Sequence, residues 1–146
     1  MRALIQRVSS ASVRVDGELV GEIGEGLVVL LGVGEGDGSG QARKLADKLA
    51  RLRVFDGAEG RMDRSLLDLR AGVLCISQFT LYGDTRRGLR PSFTDAAEPV
   101  LAERLYDEFC SALEEQGVEV ARGRFGARMS VALVNEGPVT LMLEVE

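Results

Sequence analysis

The chain has 146 residues, 45% hydrophobic and 28% charged, with a net charge of −5 and no histidine. A chain of this length forms one domain and buries enough surface to need no disulfide or metal staple. The missing histidines exclude Ser-His-Asp and Cys-His schemes, imidazole bases and nearly all catalytic zinc sites, so neither metal nor cofactor is expected. The negative charge argues against indiscriminate binding of nucleic acid through a basic surface.

No apolar run approaches the ~18 residues needed to span a bilayer. The N-terminus reads straight into a strand without signal-peptide architecture, so a cytoplasmic location and no membrane partner are expected. Cys75 and Cys110 lack metal-type spacing and read as two buried free thiols in a reducing compartment.

In chain order, residues 3–8 and 11–15 alternate as strands, and Asp16-Gly17 between alternating segments predicts a hairpin. Residues 26–33 are nearly continuous apolar, as in a strand covered on both faces. The glycine-rich GVGEGDGSGQARK from Gly32 to Lys44 fits no phosphate-binding signature, and Glu35 and Asp37 would repel phosphate, so a flexible connection is expected. Residues 41–52 carry apolar groups at helical spacing. Residues 57–65 read as polar loop, and residues 72–82 as a second buried strand that turns polar halfway. Asp95 and Glu98 form a capping-box pair ahead of a helix that runs to about Gln116 and ends at Gly117. Residues 118–121, 129–134 and 139–146 are the last strands. The expected fold is α+β, with layered β-sheets, two main helices packed on one side, and a single domain over residues 1–146.

Three stretches carry chemistry. In SQFTLY, Ser77, Gln78 and Thr80 enter just after the apolar Leu74–Ile76 and must be satisfied, either as strand-end hydroxyls on neighbouring backbone or as the wall of a site. In NEGPVT, Gly137-Pro138 interrupts a ladder and is either a plain turn or a fixed backbone shape with free carbonyls. In RGRFGARM, Arg122, Arg124 and Arg128 interleave with Phe125 ahead of Met129. That stretch is either a polar strand edge with one core phenylalanine or a holder of a base and its phosphate. A second basic stretch, Arg86, Arg87 and Arg90, lies in the loop before the acidic helix. Only Lys44 and Lys48 of the 18 basic residues are lysine; composition bias accounts for this at least as well as phosphate recognition does.

Together, MRALIQRV, SQFTLYGDTRRGLRPSF and NEGPVT resemble the D-aminoacyl-tRNA deacylase family (D-Tyr-tRNA deacylase type), in order and over essentially the whole chain. The resemblance implies layered sheets and helices in a homodimer with two active sites at the interface. It implies hydrolysis of the ester that joins a D-amino acid to tRNA, and of glycine mischarged on alanine tRNA. Ser77, Gln78, Phe79 and Thr80 would line the pocket for the 3′ end of the tRNA. Gly137 and Pro138 would form a Gly-cisPro motif inserted from the partner subunit, and Phe125 and Met129 would surround the terminal adenine.

An activated ester suits a site without histidine, because donors aimed at the developing oxyanion supply much of the catalysis; the N–H groups near Phe79 and Thr80 are the candidates. With no base to activate Thr80 as a nucleophile, assistance by the ribose 2′-hydroxyl is preferred. Carbonyls of Gly137 and Pro138 beside the α-carbon would reject L side chains and admit glycine. Two rivals of other classes are a non-catalytic nucleic-acid-binding dimer and a hydrolase of an unrelated small molecule.

Overall fold

One long strand sets the frame. The computed structural model describes every residue but Pro138. In it β1, Arg2–Val15, is a single strand of 14 residues, not the two strands expected. Its first half pairs with β3 (Gly26–Gly32) through residues 2–8, and its second half pairs with β2 (Glu18–Ile23) through residues 11–15. Both halves pair antiparallel with β8 (Ser130–Glu144). The β1–β2 hairpin turns at Asp16 and Gly17, with φ of 51° and 80°, the left-handed pair that matches strand twist. Beyond β3 the sheet continues in parallel through β6 (Gly72–Ser77) and β7 (Val120–Arg122).

Parallel neighbours require crossovers, and these supply the helical layer. Helix α1 (Ser39–Arg51) follows β3, and α3 (Pro99–Glu115) joins β6 to β7. Both bury their apolar faces, with Leu45, Leu49, Leu105, Phe109 and Leu113 fully inside, against Ile5, Val29, Val73 and Cys75 of the sheet. A smaller cluster (Val8, Val13, Val28, Leu74 and Ile76) forms separately from this main core. Cys75 and Cys110 are free and buried, as read from the sequence.

The departures are local. The segment read as polar loop, residues 57–65, contains β5 (Met62–Arg64), which pairs with β4 (Phe55–Asp56) just before it, and its last residue, Ser65, caps a one-turn helix α2 (Leu66–Leu69). Helix α3 is capped by Glu98 alone, which accepts from the N–H groups of Val100 and Leu101 at 3.1 and 2.8 Å. Asp95 is not its cap; its carbonyl instead receives the Glu35 N–H at 2.9 Å. The glycine-rich connection is tied down rather than loose. Asp37 accepts from the Gly34 N–H at 2.7 Å and pairs with the Met1 amine at 2.8 Å. A Cβ on Gly34 would stand 2.7 Å from the Tyr82 ring, so glycine is what lets these two segments meet.

The core makes a stability prediction with an internal contrast. Phe109→Ala empties a fully buried site and should cost about 3–5 kcal/mol. Tyr106→Phe removes a hydroxyl that donates to the Cys75 carbonyl. Because that carbonyl keeps the Gly123 N–H at 3.1 Å, the loss should be only about 1 kcal/mol. Denaturant unfolding of the two variants measures the difference.

Candidate active site

Strand β6 delivers the first group of residues. The buried run of Val73–Ile76 ends at Ser77, and the chain then leaves the sheet, contrary to the expectation of a strand through Tyr82. The Gln78 N–H still donates to the Leu31 carbonyl at 2.7 Å, the last tie to β3. Residues Phe79–Tyr82 then form one 3₁₀ turn. Strand geometry would have sent Gln78 and Thr80 to one face and Phe79 to the other. The turn instead gathers Phe79 and Thr80 at one exposed corner, and the Gln78 amide donates to the Thr80 hydroxyl. Among the described residues, the N–H groups of Phe79 and Thr80 find no backbone acceptor, as expected at the start of a helical turn.

This corner opens on a cavity of 540 Å³ lined by Val33, Ile76, Ser77, Gln78, Phe79, Phe93, Ala96, Ala97, Pro99, Ala102, Phe125, Gly126, Ala127, Met129 and Val131. Phe79 stacks edge-on against Phe93, with ring centroids 5.1 Å apart and an interplanar angle of 71°. Another wall is the turn between β7 and β8. It hangs on the sheet through the Gly123 N–H to the Cys75 carbonyl, and it closes on itself through the Arg124 N–H to Met129 Sδ at 3.4 Å. Phe125 leans on Tyr106, whose hydroxyl holds the same Cys75 carbonyl.

None of the described residues lining the cavity is a carboxylate, amine or thiol. The Cys75 thiol, buried in the main core on the same strand, is pushed well up by burial, away from the thiolate that a nucleophile needs. The cavity can therefore enclose an apolar, flat group and offer it hydroxyl, amide and backbone partners. It holds no general base of its own.

The NEGPVT segment lies elsewhere. Along β1 the ladder passes from Val8 to Gln6 in two steps, while β8 passes from Asn135 to Thr140 in five. The register shift marks an excursion inside β8, so the expected break between two strands is an irregularity within one. Its base is fixed by two side chains. The Asn135 amide donates to the Arg7 carbonyl at 2.8 Å and to the Val139 carbonyl at 3.2 Å. The Arg7 guanidinium donates to the carbonyls of Glu136 at 3.1 Å and Val54 at 2.8 Å, and pairs with Asp56 at 3.3 Å. Gly137 is exposed and does not line the cavity of its own chain. The other half of the predicted motif, Pro138, lies outside the described residues.

With this geometry in hand, likeness to known proteins is informative. The model of the D-Tyr-tRNA(Tyr) deacylase family matches residues 4–144. The chain belongs to that family. It is 59% identical over 144 residues to the D-aminoacyl-tRNA deacylase of Roseiflexus sp. (strain RS-1), covering 99% of this chain and 93% of the relative. To the D-aminoacyl-tRNA deacylase of Fervidobacterium nodosum it is 53% identical over 144 residues, covering 99% and 97%. Among solved structures, a c-Myc DNA Unwinding Element Binding Protein superposes with a TM-score of 0.93 at 37% identity, covering 100% of this chain and 99% of that one. A probable eukaryotic D-amino acid tRNA deacylase shares the fold at a TM-score of 0.82 and 19% identity, covering 99% and 98%.

Within this family member, Ser77, Gln78, Phe79, Phe125 and Met129 converge on one cavity. Thr80 stands at its edge and Gly137 away from it. Sequence reading missed the third wall, Phe93 with Ala96, Ala97 and Ala102, because the small residues that leave room for a ligand look like ordinary helix and loop composition. It also missed Arg7. A signal was present there: Ala3, Ile5 and Arg7 share one face of β1, and an arginine at a core-facing position of a strand needs buried acceptors.

Arg7→Met should therefore cost about 2–3 kcal/mol, because the Val54 and Glu136 carbonyls lose their charged donor. It should also speed hydrogen exchange at Val139 and Asn135 more than in β3. Uniform protection across both strands would show that the excursion does not depend on Arg7.

Proposed function

We propose that this chain hydrolyses the ester that joins a D-amino acid, or glycine mischarged on alanine tRNA, to the 3′ end of tRNA. It would act as a chiral proofreader in translation, in the cytoplasm, as a homodimer with two composite sites. The observation that carries this reading is the division of the predicted residues between two places. Five of them line a cavity free of ionisable side chains, while Gly137 stands on a braced, exposed excursion that its own cavity does not use.

A two-fold dimer repeats each contact twice, so an excursion from one copy can complete the cavity of the other. In that arrangement the terminal adenine enters the cavity between Phe79, Phe125 and Met129, where a flat ring gains stacking contact. The ester lies at the corner formed by Ser77, Gln78, Phe79 and Thr80. The free N–H groups at the start of the 3₁₀ turn face the developing oxyanion, a service worth about 10²–10³ in rate per donor in other enzymes. Thr80 has its hydroxyl engaged by Gln78, and among the described residues no base makes a hydrogen bond to it, so the ribose 2′-hydroxyl is the better-placed assistant and the protein mainly positions the ester.

Carbonyls of Gly137 and Pro138 from the second copy would stand beside the α-carbon. An L side chain would strike them, while a D side chain or hydrogen would not, so specificity arises by rejection.

The decisive assay is release of D-Tyr from D-Tyr-tRNA with L-Tyr-tRNA as control; equal hydrolysis of both, or of neither, would sink the reading. Thr80→Ala should retain turnover within about tenfold, whereas an obligatory nucleophile would lose it entirely. For the composite site, Phe79→Ala and Gly137→Val chains should each be weak alone. Co-expressed, they should regain up to about half the activity in the mixed dimer, which has one intact site. No regain would place the whole site within one chain.

A further inference from the structure

We infer that the cavity is flanked by two arginine rims with separate tasks: Arg124 and Arg128 hold the phosphates of the single-stranded 3′ end, and Arg87 and Arg90 hold the duplex stem behind it. This rests on the deacylase reading and extends it to how the body of the tRNA is held. The support lies in which arginines are already occupied. Arg86 is spent on a forked contact to Asp84, at 2.9 and 2.8 Å, and that contact holds the Asp84 carboxyl down at about 2. Arg122 is spent on Asp107 and Glu114. By contrast, Arg87, Arg90, Arg124 and Arg128 are exposed and, among the described residues, make no ion pair and no side-chain hydrogen bond.

Their placement is not scattered. Asp84 and Ser92 exchange backbone hydrogen bonds at 2.7 and 2.9 Å, so the residues between them form a closed hairpin. Phe93, just past its base, is the cavity-lining ring stacked on Phe79. Arg87 and Arg90 lie beyond the bridge, on either side of Leu89, which is fully exposed. Arg124 and Arg128 belong to the turn whose Phe125, Gly126 and Ala127 line the cavity itself.

A chain of net charge −5 thus carries unpaired guanidinium groups on, or next to, two segments that line its uncharged cavity. Such groups match phosphate with parallel N–H donors. Arginines in the cavity wall reach the nucleotides next to the one enclosed, and arginines at the far end of a hairpin reach phosphates further along the strand.

The test compares D-Tyr-tRNA with the aminoacylated trinucleotide D-Tyr-CCA, using the variants R124A/R128A, R87A/R90A and R43A/R51A. The last pair is exposed on α1 and controls for net charge. On D-Tyr-tRNA each rim variant should raise KM about tenfold and reduce the slope of log(kcat/KM) against log[salt] by about 1–2. On D-Tyr-CCA the R124A/R128A loss should persist while the R87A/R90A loss shrinks to less than about threefold, since the duplex phosphates are gone. Equal losses on both substrates, or an equal loss in the control pair, would overturn the division of tasks. A fall in sedimentation coefficient with R87A/R90A would assign the hairpin to contact with a second copy and overturn its half of the inference. If the wild-type chain does not release D-Tyr, the deacylase reading fails instead. The affinities of the same variants for uncharged tRNA and for CCA then judge the rims directly, with the same ranking required.

Discussion

The ladder between β1 and β8 is the constraint on which the rest depends. Two antiparallel strands must match step for step, and here β8 takes five steps where β1 takes two. The surplus backbone cannot pair within the sheet, and an unpaired buried carbonyl costs about 1–3 kcal/mol. The chain resolves this with two side chains from opposite strands. Asn135 returns to the Arg7 and Val139 carbonyls, and Arg7 reaches the Glu136 and Val54 carbonyls. The excursion is therefore tied down at Asn135, Glu136 and Val139, and its position is set by the strand that also aligns β3 and, through β3, β6.

The same sheet fixes the other half of the site. Because β3 and β6 run in parallel, β6 ends beside Leu31, and the Gln78 N–H makes the last ladder bond before the 3₁₀ turn. One atom, the Cys75 carbonyl, then links three elements: its own strand, the Tyr106 hydroxyl of α3 and the Gly123 N–H of the β7–β8 turn. The walls of the cavity thus come from parts of the chain that share an anchor. What they enclose lacks any ionisable side chain among the described residues. On the proposed reading, catalysis there would rely on fixed dipoles and orientation, which suits a substrate that is already activated. This is the physical sense of a histidine-free hydrolase.

Much of this was legible in the sequence. The hydrophobic periods gave both long helices and nearly every strand, since burying one face of a helix or both faces of a central strand leaves a plain trace. SQFTLY and RGRFGARM announced polar and aromatic groups beside apolar strands, and each supplies a wall of the cavity. NEGPVT announced a disruption in a ladder. What the residues alone left open was the choice between wall and strand end, or between shaped backbone and turn. Local pattern does not show which carbonyls and amides lack partners.

The sequence by itself determined the fold class, the buried free thiols, the chemistry closed off by the absence of histidine, and the residue types available at the site. Only the tertiary structure decided that β1 is one strand serving three partners, that Arg7 braces the excursion, and that Phe79 and Thr80 turn out of the sheet at one corner. It also decided which arginines are held in ion pairs, as Arg86 and Arg122 are, and which are left exposed without one. The reason is that composition and period depend on neighbours along the chain, whereas register, backbone satisfaction and ion pairing depend on neighbours in space. Arg7 and Asn135 are 128 positions apart in sequence, and they are joined by one hydrogen bond.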